Sequence, residues 1–197
     1  MSRGSVSPQV GIIAEDDSDV GSVRILIHRI SGNYRIGTKK FIGKGCGKIK
    51  RKCNAWADLL RKRGCSALIV IHDLDNNSIR ELYNKIEIAL SPCPIKKYLI
   101  CIPVQELEAW LLCDPTAIKG AMKLRKEPKV NGIPENINSP KEYLGSIIYK
   151  ASDSEKIYLN TKHNESIATA LSISKALRCP SFKPFYKFIK SGFTASA

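Results

Sequence analysis

Three times along the chain a short apolar run ends abruptly in acids. Gln9 to Ala14 leads into Glu15-Asp16-Asp17-Ser18-Asp19, Ala67 to Ile71 into His72-Asp73-Leu74-Asp75-Asn76-Asn77, and Ile95 to Val104 into Gln105-Glu106-Leu107-Glu108. Runs of this length, rich in β-branched residues, read as strands buried on both faces. Between them, apolar residues recur at helical spacing. Val20, Val23, Ile27 and Ile30 follow the first run, Ile49, Cys53, Trp56 and Leu60 precede the second, and Ile79, Leu82, Tyr83, Ile86 and Leu90 follow it, over Asn77 to Leu90. Tyr34 to Ile42, of mixed polarity, predicts a further strand at a sheet edge. The alternation predicts an α/β fold with a mainly parallel sheet flanked by helices.

From Asp114 the pattern changes to short helices. Asp114-Pro115 is an N-cap followed by a first-turn proline, and Ser139-Pro140-Lys141-Glu142 reads as a capping box. Between them Lys119 to Pro134 is a basic, proline-bearing connector, expected to be mobile. Glu165 to Leu177 predicts one more helix, stopped by Cys179-Pro180. The tail interleaves Phe182, Phe185, Tyr186 and Phe188 with Lys183, Lys187 and Lys190. Such rings can stack on bases, but packing of the last helix onto the core is the stronger reading. These features divide the chain into a core over 8–114 and a C-terminal helical extension over 115–197. Met1 to Ser7 reads as a frayed polar lead-in.

Charge changes the picture most. Against 18 acidic residues stand 32 lysines and arginines, a net +14, in a chain of 43% hydrophobic residues. That excess favours nucleic acid as a partner over an anionic membrane surface or an acidic protein. The densest stretch runs from Lys39 to Arg63, opposed only by Asp58. Helical spacing puts Lys48, Lys50, Arg51, Lys52, Arg61, Lys62 and Arg63 mostly opposite the apolar face, the footprint of phosphate-backbone contact. Gly43, Gly45 and Gly47 lend flexibility to the loop before it, which lacks the Gly-Lys-Ser/Thr ending of a Walker loop. The seven cysteines form no CxxC pair and the three histidines are isolated, so no zinc site is expected. Cysteines within apolar runs behave as small buried hydrophobes. A reducing compartment is expected, and with neither a signal peptide nor a membrane-length apolar run, a soluble cytoplasmic protein.

Acids delivered by several strands to the carboxyl edge of a parallel sheet stand where such folds bind ligands. Asp73 and Asp75, one residue apart, share a face of an extended segment and can reach one cation. Glu15, Asp73, Asp75 and one of Glu106 and Glu108 form a carboxylate set suited to Mg²⁺ or Mn²⁺. Without a cation their like charges raise one another's pKa. Asp16, Asp17 and Asp19 read instead as helix caps or solvated acids, since acids are favoured at a helix start. The competing reading of the central motif is an Asp/Asn turn that satisfies its own backbone.

A strand ending in Glu followed by a strand ending in Asp-x-Asp resembles the Toprim domain of topoisomerases, primases and overcoming-lysogenization-defect nucleases. The wording I-I-A-E-D-D-S-D, V-I-H-D-L-D-N-N and I-P-V-Q-E-L-E-A-W-L-L-C-D-P is most similar to compact standalone bacterial Toprim-like proteins, over about residues 9 to 115. The resemblance implies a Rossmann-like Toprim core. It implies Glu15 as general acid/base or metal ligand, Asp73 and Asp75 as a metal-binding pair, Glu108 as the last acid, and Trp110 packed beneath them. It further implies a metal-dependent nuclease acting on DNA or RNA, the effector of a bacterial defence system, with an ABC-type ATPase partner to supply the missing Walker motif. Asn76-Asn77 departs from the further acid found in topoisomerases and primases, which argues against strand passage and primer synthesis. Three alternatives remain. A non-catalytic basic module for nucleic-acid binding or assembly would keep the acids for structure. A phosphoacceptor receiver domain needs a lysine where Gln105-Glu106 stands. A haloacid-dehalogenase-like phosphatase would carry its Asp-x-Asp on the first strand.

Overall fold

A computed structural model describes residues 8–43 and 46–193; the lead-in, Lys44 and Gly45 of the glycine loop, and residues 194–197 fall outside it. β1 (Gln9–Ala14), α1 (Asp17–Ser31), β2 (Gly37–Ile42), α2 (Cys46–Lys62), β3 (Ala67–Ile71), α3 (Ile79–Leu90) and β4 (Lys97–Cys101) alternate as the hydrophobic pattern requires. All strand pairs are parallel, in the order β2-β1-β3-β4. The mixed-polarity strand β2 is an edge, while β3 lies between two neighbours with every residue buried. Gly64, at φ 88°, supplies the left-handed residue that ends α2.

Side chains alternate between two layers, as a pleated strand dictates. Ile13, Leu68 and Val70 face α2 and α3. Gly11 of β1 lets α2 approach, because a Cβ there would lie 2.8 Å from Leu60 Cδ1. Val10, Ile12, Ala14, Ala67, Ile69 and Ile71 face the other, larger layer. There α1 is joined by α4 (Glu108–Leu111), α5 (Pro115–Met122), α6 (Pro140–Ala151), α7 (Asn160–Ala170), α8 (Ile173–Ala176) and α9 (Phe182–Phe193). Fully buried Trp110 meets Phe182 edge-on at 5.1 Å and Phe185 at 5.7 Å, and donates from Nε1 to Ser181 Oγ at 2.8 Å. The rings of the tail therefore pack α9 onto the core, each buried ring contributing about 1.5–3 kcal/mol.

Three local expectations are corrected. Ser139 does head α6, but its side chain makes no cap hydrogen bond. Glu106 Oε2 accepts the Lys141 N–H at 2.8 Å instead, so a carboxylate from another segment takes over the capping role. The helix predicted over Glu165 to Leu177 is split into α7 and α8. At the break Ser172 N–H donates to Asp114 Oδ2 at 2.9 Å, and the Arg29 guanidinium donates to the carbonyls of Ala168 and Leu171. These tertiary bonds occupy groups that a continuous helix would have paired internally. Finally, the start of the Lys119–Pro134 connector is the last turn of α5. Among the described residues no helix is long and apolar enough to cross a membrane.

Candidate active site at the carboxyl edge of the sheet

The strand order places the topological switch point between β1 and β3, where open α/β sheets bind ligands. Ile13 is registered with Val70, so Glu15 and His72 leave the sheet side by side. His72 is fully buried, and its Nδ1 lies 2.8 Å from the Asp73 carbonyl oxygen and 2.7 Å from Glu15 Oε1. Only the first contact has hydrogen-bond direction; Glu15 Oε1 and His72 Nε2 are buried without a hydrogen-bond partner. Burial pulls the imidazole pKa down, but the Glu15 carboxylate and the Asp73 carbonyl together more than reverse this and leave it raised.

Ladder-like bonding between β3 and β4 continues beyond the strands. The N–H groups of His72, Leu74 and Asp75 donate to the carbonyls of Cys101, Pro103 and Gln105 at 3.2, 3.1 and 3.1 Å. The extended conformation ends at Asp75 (φ 48°), facing Gln105 (φ 62°). The face expected to be shared by Asp73 and Asp75 is therefore lost, because a left-handed residue breaks period-2 alternation. Asp73 turns inward and accepts the Leu107 N–H on Oδ1 at 3.1 Å, whereas Asp75 stands exposed at the rim. Burial and Glu15 still raise the Asp75 pKa, against His72 and Lys50. The turn reading holds for Asn77 alone, whose Nδ2 donates to the Leu74 carbonyl at 2.9 Å.

The two glutamates after β4 part company. Glu106 is tied to α6, while Glu108 is 3% exposed and accepts on Oε1 from Asn164 Nδ2 at 2.9 Å. Asp16 and Asp17 behave as expected. Asp16 caps α1, its Oδ1 accepting from the N–H groups of Ser18 and Asp19 at 2.8 and 3.1 Å, and Asp17 pairs with Lys40 at the surface. Asp19 closes the capping box as expected, yet it is not solvated: it is 4% exposed and faces inward. Burial, then Asp16, Glu108 and Glu15, hold its carboxyl well above the usual range. Burial, then Asp19, Glu108, Glu15 and Glu106, do the same to Asp73. Glu15, Asp19, Asp73 and Glu108 thus stand within one another's field. The signal for Asp19 was present in the chain, since Asp19, Val23, Leu26 and Ile30 follow one helical stripe. No comparable signal marked Tyr158, Asn160 and Asn164, which reach the site only because α7 lies along α1.

The basic helix is not one continuous patch beside the acids. Lys48, Arg51, Lys52, Arg61, Lys62 and Arg63 are exposed and Lys50 is half-buried. A helix between parallel strands runs back against them, so α2 starts at the carboxyl edge and ends at the amino edge. Lys50 acts on His72 and Asp75, whereas Arg63 lies over the Phe41 ring at 5.0 Å. About 20 Å of helix separates their backbones, although the Arg63 side chain reaches back to Phe41, which is registered with Ile13. Arg61 and Lys62 share Asp58 at 2.9 and 2.7 Å.

Among the described residues, no three His, Cys, Asp or Glu side chains are arranged as a finished ligand set. The donor chemistry nevertheless fits Mg²⁺ or Mn²⁺. The candidate donors are carboxylates, Glu15 Oε1 is buried without a hydrogen bond, and repulsion among Asp19, Asp73 and Glu108 is what a cation relieves. Among known proteins, the family model described as Domain of unknown function (DUF4276) matches residues 14–190, and the chain belongs to that family. No curated protein and no solved structure matches.

Proposed function

We propose that this member of the DUF4276 family is a Mg²⁺- or Mn²⁺-dependent nuclease with a Toprim-like site, hydrolysing phosphodiester bonds of DNA or RNA. The observation that carries the reading is the gathering of Glu15, Asp19, Asp73 and Glu108 at the switch point, with Glu15 Oε1 buried against His72 Nδ1 at 2.7 Å. Such a cluster destabilises the free protein and is stabilised by a divalent cation. When bound, the ion would neutralise charge on the phosphate and activate water. Glu15, Asp19, Asp73 and Glu108 would hold it, whereas Asp75 stands at the rim. Beside His72, Glu15 would accept the water proton as the water oxygen bonds to phosphorus, while the bond from phosphorus to the sugar oxygen breaks and that oxygen takes a proton from solvent. Lys48, Lys50, Arg51 and Lys52 bring phosphates to that edge, and Arg61, Lys62 and Arg63 lengthen the contact along α2. The Toprim resemblance adds an ABC-type ATPase partner and a bacterial defence role.

The second reading is a non-catalytic basic nucleic-acid-binding module. It draws on the exposed lysines and arginines along and just beyond α2, which allow binding without chemistry. One experiment separates the two. Plasmid, single-stranded DNA, tRNA and total RNA are incubated with Mg²⁺, Mn²⁺ or EDTA, wild type beside Asp73→Asn. Cleavage that needs metal and vanishes in the variant is expected. Cleavage surviving EDTA or the substitution sinks the metal reading, and binding without cleavage by either protein leaves the second reading or a required ATPase partner.

A further inference from the structure

Three neutral side chains outside the carboxylate set converge on it. Asn160 and Asn164 stand one turn apart on a single face of α7. Asn160 Nδ2 donates to Asp16 Oδ2 at 3.3 Å and to Ser18 Oγ at 3.1 Å, bracing the turn that delivers Asp19. Asn164, fully buried, donates to Glu108 Oε1 at 2.9 Å. The Tyr158 hydroxyl lies 3.2 Å from that same oxygen and also contacts Asn164 Oδ1; its single proton serves one of them at a time.

Glu108 needs such support. It opens α4, which is only four residues long, so its own helix does little to fix it. The charges of Asp19 and Asp73 favour rotation of its carboxylate away from them. The kind of donor matters as much as the bond. A lysine or arginine would satisfy Glu108 equally well but would cancel the negative charge a cation requires. A phenol and a carboxamide orient the carboxylate and leave its charge in place, as partners behind metal ligands commonly do.

We propose that Asn164 and Tyr158 are positioning residues that hold Glu108 ready to receive the divalent cation, so that the C-terminal helices complete the site. The inference rests on the metal-dependent reading above. The test is Mn²⁺ affinity by calorimetry, with the metal-free Tm measured in parallel, for wild type, Tyr158→Phe, Asn164→Ala and Ile167→Val. The last trims the core beneath α7 without removing a hydrogen bond. Asn164→Ala is expected to weaken Mn²⁺ binding about 10–100-fold and Tyr158→Phe about 10-fold, while Ile167→Val keeps wild-type affinity. Unchanged affinity in Tyr158→Phe overturns the proposal, as does an equal loss in Ile167→Val, since either result would make the network purely structural. If Asn164→Ala does not fold, Tyr158→Phe, which removes only a hydroxyl, decides. A wild type that binds no Mn²⁺ overturns the metal reading itself, and this is seen before any variant is compared.

Discussion

Asp114 and Asp73 both give up water on folding, and their surroundings treat them in opposite ways. Asp114 accepts Lys175 Nζ at 2.7 Å and the Ala117 N–H at 3.2 Å on Oδ1, and the Ser172 N–H at 2.9 Å on Oδ2. Burial pushes its carboxyl up, but these donors more than reverse it and hold the pKa below the ordinary value. Asp73 receives the Leu107 N–H and otherwise faces acids, so burial first and then those acids raise its pKa. One carboxylate ties α5 to α8. The other gains a single backbone hydrogen bond against burial and the charges of its acidic neighbours, and an acid retained at a cost to stability points to function.

The sharpest way to break this comparison is Asp73→Asn, which keeps an acceptor for Leu107 and removes a charge. Cleavage is expected to fall to background. In EDTA the variant is expected to unfold at a higher temperature than wild type, by roughly 1 kcal/mol of added stability; a less stable variant would mean the acids do not repel. Asp114→Ala should act in the other sense, costing about 2 kcal/mol in denaturant unfolding, because a cap and a half-exposed ion pair go together. A loss below about 1 kcal/mol would show Asp114 to be no more than an ordinary surface cap.

Acid titration of stability sharpens the contrast further. The folded pKa of Asp114 is depressed, so its contribution is present above the unfolded value and is lost as pH falls through the lower folded value. Asp19 and Asp73 have raised folded pKa values, so their cost is present above those values and is relieved as pH falls through them toward the unfolded value near 3.8. Metal-free protein should therefore gain stability on mild acidification, and Asp73→Asn should flatten that gain. A wild-type profile that falls monotonically from neutral pH would contradict this.

The smallest effects belong to α2. Lys50→Ala and Arg63→Ala should each reduce the salt slope of nucleic-acid binding by about 1. Only Lys50→Ala should also lower cleavage at saturating substrate, since Lys50 alone of the two acts on His72 and Asp75. Equal effects of both on cleavage would mean that the two ends of the helix are not functionally distinct.

Much of the fold was legible because hydrophobic periodicity is local. β1 has the bounds its apolar run predicts, β3 is buried throughout, and mixed polarity marked β2 as an edge. Three acid-tipped strands, all parallel, brought Glu15, Asp73 and the segment after β4 to one edge without further information. Less was legible in the site. Glu106 and Glu108 have near-identical local contexts, and the start of α6 decides between them by claiming Glu106 for its cap. Asp75 left the expected face because its backbone is paired to Gln105 in a left-handed turn.

By itself, then, the sequence determined the alternating layers, the carboxyl edge and the residue types gathered there, since each follows from neighbours a few positions away. Tertiary structure alone decided which acids are sheltered and which donors reach them. Asn160 finds Asp16 across 144 positions and Asn164 finds Glu108 across 56. The partner of a buried polar group is set by which helices pack together, and no local pattern of apolar and polar residues encodes that.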